Sequence, residues 1–302
     1  MNRKQQIQPT PLAGISYFTP PDGYMLRGRD GLVEILWGEM PPIPLLEEDF
    51  TAAEEIGGPD YDMVGRGIYQ ALRLNPDCAG AAGYAAVLKD AYPHIVSELG
   101  GQIIMLEAKV VDTPYLDRKI NFLKIMALLD PANAGLALEI ARAYIDKGTR
   151  LSSMQCAVTC WYAAENQLKT AMALNPGDHH AAYEYGEALY MLGRYEQAAG
   201  IWSDITVLLE PAERARVEAR VAGILAGKIP AVPPLDYLTA LSVAVEQHLG
   251  GFNGEAAAII TDVLADPVFA AQFPLNEVYY LLGTCYQEIG LMDEAAEAFK
   301  RS

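Results

Sequence analysis

The chain of 302 residues has only four cysteines, Cys78, Cys156, Cys160 and Cys285, and only four histidines. Four scattered thiols are too few to staple a disulfide scaffold, so a reducing compartment is expected, with the thiols acting as small buried hydrophobes. Basic residues are also scarce, 22 Lys and Arg against 39 Asp and Glu, a net charge of −17. A field of that sign repels phosphate backbones and anionic lipid, which argues against nucleic-acid and membrane-surface partners and favours a neutral or basic one. It also keeps an alanine-rich helical protein soluble. No apolar run approaches the roughly 20 residues of a membrane span, and "MNRKQQIQPTPLAG" lacks the apolar core of a secretion signal. A cytoplasmic address is therefore expected.

Motifs of catalysis are missing too. The chain has no G-x-x-x-x-G-K-[ST] phosphate loop, no G-x-G-x-x-G after a strand and no H-E-x-x-H. Gly65-Arg66-Gly67 sits inside a helical pattern. Glu47-Glu48 and Glu54-Glu55 are sequence neighbours, which points the members of each pair to different helix faces, so they read as solvated surface. The most metal-like group is Cys156 and Cys160, one helical turn apart, with His179 and His180 further on, because an i, i+4 pair can share a metal. Paired zinc cysteines usually stand two residues apart in a turn, however, and Cys160 runs into "WYAA". Buried structural thiols are the expectation, and an enzyme or metal protein using the Cys156 and Cys160 region is the alternative. No catalytic residue, metal or cofactor is expected.

What is present is helical periodicity. Around "YEYGEALYMLGRYEQAAGIW" (183–202), Ala182, Tyr185, Gly186 and Leu189 share one helical face, and Ala198 and Trp202 make a second. Gly193 lies between them, and glycine can take the left-handed conformation that ends a helix, so two helices are expected rather than one. The layout recurs in "NEVYYLLGTCYQEIGLMDEAAEAF", with Tyr279, Leu282, Gly283 and Tyr286, then Gly290, then Ala295 and Phe299. The twelve-residue step from Gly186 to Ala198 is repeated from Gly283 to Ala295.

This spacing resembles the tetratricopeptide repeat (TPR), a helix-turn-helix unit of about 34 residues with the pattern W-x2-L-G-x2-Y, then A-x3-F, then P. More degenerate copies offer Ala137, Ile140, Ala141 and Tyr144, followed by Ala164, Leu168, Ala171 and Pro176. An insertion, "TRLSSMQCAVT", separates those two helices and lengthens either the second helix or the connecting loop. Val64, Ile68, Ala71 and Pro76 repeat the second-helix spacing alone. Turns at Pro76, Pro131, Pro176, Pro211 and Pro267 are unevenly spaced, so extra helices such as 115–129 and 212–226 are intercalated.

The expected fold is all-α: an irregular TPR-like right-handed α-solenoid of helical hairpins with a Pro-rich N-terminal arm. Residues 1–44 form the arm or cap, 45–228 a degenerate array, 229–234 a Pro-rich break and 235–302 the C-terminal hairpins. The first 44 residues hold seven of the nineteen prolines. Asp30-Gly31 either turns a hairpin joining "YMLRG" to "LVEILW" or starts a short helix. The apolar Tyr24, Leu32, Val33, Ile35, Leu36 and Trp37 need burial, so the arm is expected to cap the first repeats rather than bind in trans.

A second stripe, His180, Tyr183, Glu187 and Tyr190, is offset from the packing stripe and should be partly exposed. The resemblance implies that this face lines a concave groove, which adds Glu277, Tyr280, Thr284 and Gln287 from the last unit. Aromatics beside carboxylates suit a peptide or helix that brings apolar anchors and some Lys or Arg. Family members that clamp a C-terminal carboxylate use groove Lys and Asn, whereas this chain offers Glu184, Glu187, Glu139 and Arg142 there, a departure from that role. The functional expectation is a non-enzymatic scaffold or adaptor presenting an acidic, tyrosine-bearing groove to a neutral or basic protein or peptide. A chaperone for a secreted or assembled subunit is the alternative. No capping helix follows "AAEAFKRS", so Tyr286, Ile289, Ala295 and Phe299 are expected to be only partly covered, and this edge to dock a second copy or a partner.

Overall fold

Gly67, in the middle of a helix, shows how the arm is held. The computed structural model describes residues 9, 11–27, 34–38, 40–91, 94–107, 113–273 and 275–302. It falls into two units, Met1–Leu136 and Ala137–Ser302. In the first, strand β1 (Ile15–Phe18) pairs antiparallel with β4 (Ile43–Leu46), and between them β2 (Met25–Arg27) pairs with β3 (Glu34–Leu36). Among the described residues the helices that follow are α1 (Glu47–Ile56), α2 (Tyr61–Leu74), α3 (Ala81–Ala91), α4 (Ile95–Glu107) and α5 (Thr113–Leu129). Strand β4 lies directly on α2, where a methyl group at Gly67 would come within 2.0 Å of the Pro44 carbonyl oxygen. Only glycine admits that approach.

The arm is thus folded onto α2 and α3. Trp37 is buried and its indole N–H donates to the Pro41 carbonyl at 2.8 Å; the Tyr84 hydroxyl donates to Pro42 at 2.6 Å and that of Tyr24 to Pro59 at 2.9 Å. Each bond satisfies the carbonyl of a proline outside the strand ladders and helices. The β2–β3 pair favours the hairpin for this segment over the short helix; Asp30-Gly31 itself, with Leu32 and Val33, lies outside the described residues. Val64, Ile68 and Ala71 are buried on α2, as their spacing predicts. The strand pairs are the departure from an otherwise helical chain.

The second unit begins within α6 (Ala134–Thr149). A 3-10 turn, Leu151–Cys156, then leads to α7 (Ala157–Leu174), α8 (His179–Met191), α9 (Tyr195–Ile205) and α10 (Pro211–Leu225). Next come α11 (Pro234–Leu249), α12 (Asn253–Leu264), the single turn α13 (Pro267–Ala270), α14 (Asn276–Glu288) and α15 (Met292–Arg301). The insertion between the halves of the split repeat therefore does both things open to it, forming the 3-10 turn and starting α7. Three tight hairpins, α8–α9, α11–α12 and α14–α15, turn at Gly193, Gly251 and Gly290, with φ of +73°, +83° and +81°. In each, the next N–H reaches back to the preceding helix: Arg194 to Leu189, Phe252 to Gln247 and Leu291 to Tyr286. The stretch 183–202 is thus two helices, and these three hairpins share one glycine turn.

Between hairpins, α7 packs on α8 and α12 on α14. The Pro-rich break is ordered. Asp266 accepts from the N–H of Ala231 and the hydroxyl of Tyr237, both at 2.7 Å, while its other oxygen caps α13 through the N–H groups of Val268 and Phe269. At the last hairpin Tyr286 and Phe299 are half-buried and Ile289 is exposed, in line with expectation, but Ala295 is buried against α14. It lies on the inner face of its own hairpin. Among the described residues no helix is long and apolar enough to cross a membrane.

Candidate functional site

The stripe on α8 starts at its capped end, where Asp178 accepts from the N–H groups of His180 and Ala181 at 3.0 and 3.2 Å. His180 is exposed, with its ring 4.2 Å from that of His179. Tyr183 and Glu187 are half-buried and Tyr190 is 1% exposed. This corrects the expected partial exposure of Tyr190, and the reason is α10. That helix packs along α9 and reaches the stripe through Arg220, whose guanidinium is paired to Glu187 and stacked 4.6 Å from the Tyr190 ring centroid and 5.2 Å from that of Trp202. Burial first, then Glu187, pushes the Tyr183 hydroxyl up to about 12. The Tyr190 ring also meets Tyr195 edge-on at 5.0 Å.

The stripe on α14 is open. Glu277 and Tyr280 are exposed and line a groove of about 730 Å³ together with Leu151, Ser152 and Gln155 of the 3-10 turn and Ser242, Val245, Glu246 and Leu249 of α11. Thr284, a turn further on, donates its hydroxyl to the Tyr280 carbonyl at 3.0 Å, and Gln287 is exposed; neither lines the groove. Of the eight expected residues, the structure brings Glu277 and Tyr280 together in an open groove and encloses Tyr183, Glu187 and Tyr190 under α10. The other groove walls were missed, although the insertion before α7 was a signal for the first of them.

The groove combines two carboxylates with Leu151, Val245, Leu249 and the Tyr280 ring, and Leu249 and Tyr280 are 80% and 63% exposed. Carboxylates at the rim of an apolar channel attract a cation while the channel takes an aliphatic or aromatic side chain. Elsewhere, Cys285 Sγ lies 3.6 Å from His248 Nδ1, but that same nitrogen contacts Asn253 Oδ1 at 2.6 Å. A nucleophile–base–orienter relay needs two different imidazole nitrogens. Cys285 is also fully buried, and burial pushes its thiol up, so it stays a neutral thiol.

Cys160 is buried against Gly148, and Cys156 stands half-buried at the start of α7. Among the described residues no three His, Cys, Asp or Glu side chains converge as a metal site. Arg142 bonds Glu139 at 2.9 Å and reaches Glu184 at 3.4 Å, joining α6 to α8. These three side chains, at which a carboxylate clamp was not expected, are engaged with one another at the surface.

Architecturally the second unit is an irregular helical-repeat array. No protein-family profile matches the chain, and no curated protein matches it. Two crystal structures of MamA are similar to it. One is 16% identical, covering 69% of this chain and 90% of that one with a TM-score of 0.29; the other is 18% identical, covering 62% and 86% with a TM-score of 0.25. Likeness at that level carries no functional argument.

Proposed function

We propose that this protein is a non-enzymatic scaffold or adaptor that binds another protein through the groove between the 3-10 turn, α11 and α14. The observation that carries this reading is the lining itself: Glu246, Val245 and Leu249 of α11 and Glu277 and Tyr280 of α14, beside Leu151 of the 3-10 turn. A peptide or helix bringing an aliphatic or aromatic anchor and a Lys or Arg fits that lining, and the net charge of −17 steers such a ligand toward it. Helical-repeat surfaces suit this use because stacked hairpins present a continuous face built from side chains of several units. Rigid amphipathic rings such as Tyr280 are favoured contact residues.

A peptide-display selection on the full chain tests the proposal. Selected peptides should share an apolar residue next to Lys or Arg, and should lose binding tenfold or more to chains carrying Tyr280→Ala or Leu249→Asp. Acidic consensus peptides, or peptides held equally by both variants, would overturn it.

A further inference from the structure

The covered face of α8 has an occupant with the composition of a ligand. α10, "PAERARVEARVAGIL", carries Arg214, Arg216 and Arg220 interleaved with Val217, Val221 and Ile224. Val217 enters the cluster formed by Leu189, Tyr190, Ala198 and Trp202, and Val221 and Ile224 pack against its edge. Arg220 places its charge on Glu187 and its plane over Tyr190 and Trp202. Aliphatic anchors one turn to either side of an arginine, meeting a carboxylate flanked by aromatic rings, is how an amphipathic helix docks on an acidic aromatic surface.

The attachment is shallow. Val217 is the one buried residue among the fifteen of α10, and Leu225 at its end is 80% exposed. The bonds that fix the start of the helix run from Arg214 to the carbonyls of Thr206, Val207 and Leu209, each at 3.1 Å, on the segment just before it. None of those bonds involves α8: α10 runs along α9, and its hold on the α8 face is made by Val217 and by Arg220, which also donates to the Gln272 side chain at 3.3 Å. The other end leaves through Gly227, at φ +70°, and Pro230, Pro233 and Pro234. The fit is also incomplete. A cavity of about 420 Å³ remains between Tyr190, Arg220, Lys228 and Gln272. The Tyr190 hydroxyl makes no hydrogen bond of good geometry there, although the Gln272 side chain is close enough to ease its ionisation against the larger opposing effect of burial.

We propose that the α8 face, Tyr183, Glu187 and Tyr190 with Trp202 beneath, is a docking site for an amphipathic partner helix carrying an arginine between branched aliphatic residues, and that α10 is the built-in occupant which such a helix displaces. The site is separate from the open groove of α11 and α14, so either reading can fail without the other. An external helix competes with a tethered one at high effective concentration, which keeps the face closed until a better-fitting partner arrives. A polar side chain reaching the Tyr190 hydroxyl is one such improvement over α10.

The probe is a fluorescein-labelled peptide with the sequence of residues 211–225, titrated into the full-length chain and followed by anisotropy. Arg220→Glu in the chain sets a carboxylate against Glu187 and releases α10, so the native-sequence peptide should bind that variant at least tenfold more tightly than it binds wild type. Adding Glu187→Lys should abolish the gain, and a peptide carrying the Arg220→Glu change should not bind. A folded Arg220→Glu chain that binds the peptide no better than wild type overturns the proposal. Should Arg220→Glu not fold, hydrogen exchange on wild type decides. Amides of 214–225 exchanging well ahead of those in α8 and α9 support a displaceable helix, and equal protection overturns it.

Discussion

Gly186 on α8 and Trp202 on α9 touch so closely that a methyl group at Gly186 would lie 2.2 Å from the indole nitrogen. The last hairpin repeats this, with Gly283 placed 2.6 Å from the Phe299 ring by the same measure. At the equivalent positions of α11–α12 stand Ala244 and Ile260, and of the split repeat Ala141 and Leu168, all fully buried. Glycine therefore accompanies an aromatic partner and alanine an aliphatic one, conserving volume across the hairpin. Gly186→Ala should destabilise the protein by about 1–3 kcal/mol despite its better helix propensity, because overpacking outweighs the roughly 1 kcal/mol that alanine contributes in a helix. Gly200→Ala, on α9 with open space around it, should stabilise by about 0.5–1 kcal/mol. In urea unfolding, Gly186→Ala with Trp202→Leu should cost less than the two single changes added together; simple additivity would refute the pairing.

Two tyrosines from the same sequence stripe pattern should behave oppositely. Tyr190, 1% exposed beneath Arg220, should cost about 3–5 kcal/mol when changed to Ala, the range for a large buried aromatic. Tyr280, 63% exposed, touches Phe299 at 5.6 Å between centroids and should cost under about 1.5 kcal/mol. Thermal melts of the two variants check this, and equal losses would mean that Tyr280 is core.

The hairpins were legible in the sequence because their signals are local. A left-handed glycine at Gly193 or Gly290, and small residues at fixed steps on either side, need no knowledge of distant contacts. The middle hairpin was harder to read, since Ala244 and Ile260 replace the glycine and aromatic that mark the other two. Half of the site was hidden for a different reason. Whether Tyr183 and Tyr190 meet solvent depends on where α10 folds, and nothing in the periodicity of α8 says that a helix some thirty residues on returns to cover it. Strand β1 was obscured because its pairing partner, β4, lies beyond four prolines and is held where Gly67 on α2 admits the Pro44 carbonyl.

Association through the open groove should weaken with salt. Glu246 and Glu277 are exposed, so ions screen their attraction for a cationic ligand with a Debye length of about 10 Å at 0.1 M. Kd for a selected basic peptide should rise several-fold between 50 and 500 mM NaCl, conditions set on the order of this screening range. Most of the change should lie in the association rate, because rim charges act mainly before contact. Stopped-flow traces with a salt-independent rate would remove charge from the recognition.

Acid should loosen the second unit through particular carboxylates. Glu165 on α7 is 2% exposed and is held by Lys169 at 2.6 Å and by Arg194, at the α8–α9 turn, at 2.5 Å. Burial alone would raise its pKa, but the two hydrogen-bonded cations outweigh burial and hold it below the usual carboxylate range. Asp266 is lowered likewise, its burial offset by the donors from Ala231, Phe269, Tyr237 and Val268. A folded pKa below the unfolded one means that the unfolded chain binds the extra proton, so this stability is present above the unfolded value of about 4 and is lost as pH falls through the folded one. Glu184 has the opposite sign: burial, then Glu187 against the pull of Arg142, raises it, so its contribution falls as pH rises from the unfolded value through the folded one. Glu165→Gln should cost about 1–3 kcal/mol at neutral pH, toward the lower end because Arg194 and Lys169 are partly solvated, and should flatten the acid limb of a stability–pH curve. Glu184→Gln should cost less at neutral pH than at pH 4, where the wild-type side chain is already protonated, an unfolded reference of about 4.3 placing both conditions on opposite sides of its titration. Urea midpoints measured across about pH 3–8, a span of roughly five units that includes the carboxylate values, would refute the assignment if the two variants tracked wild type in parallel.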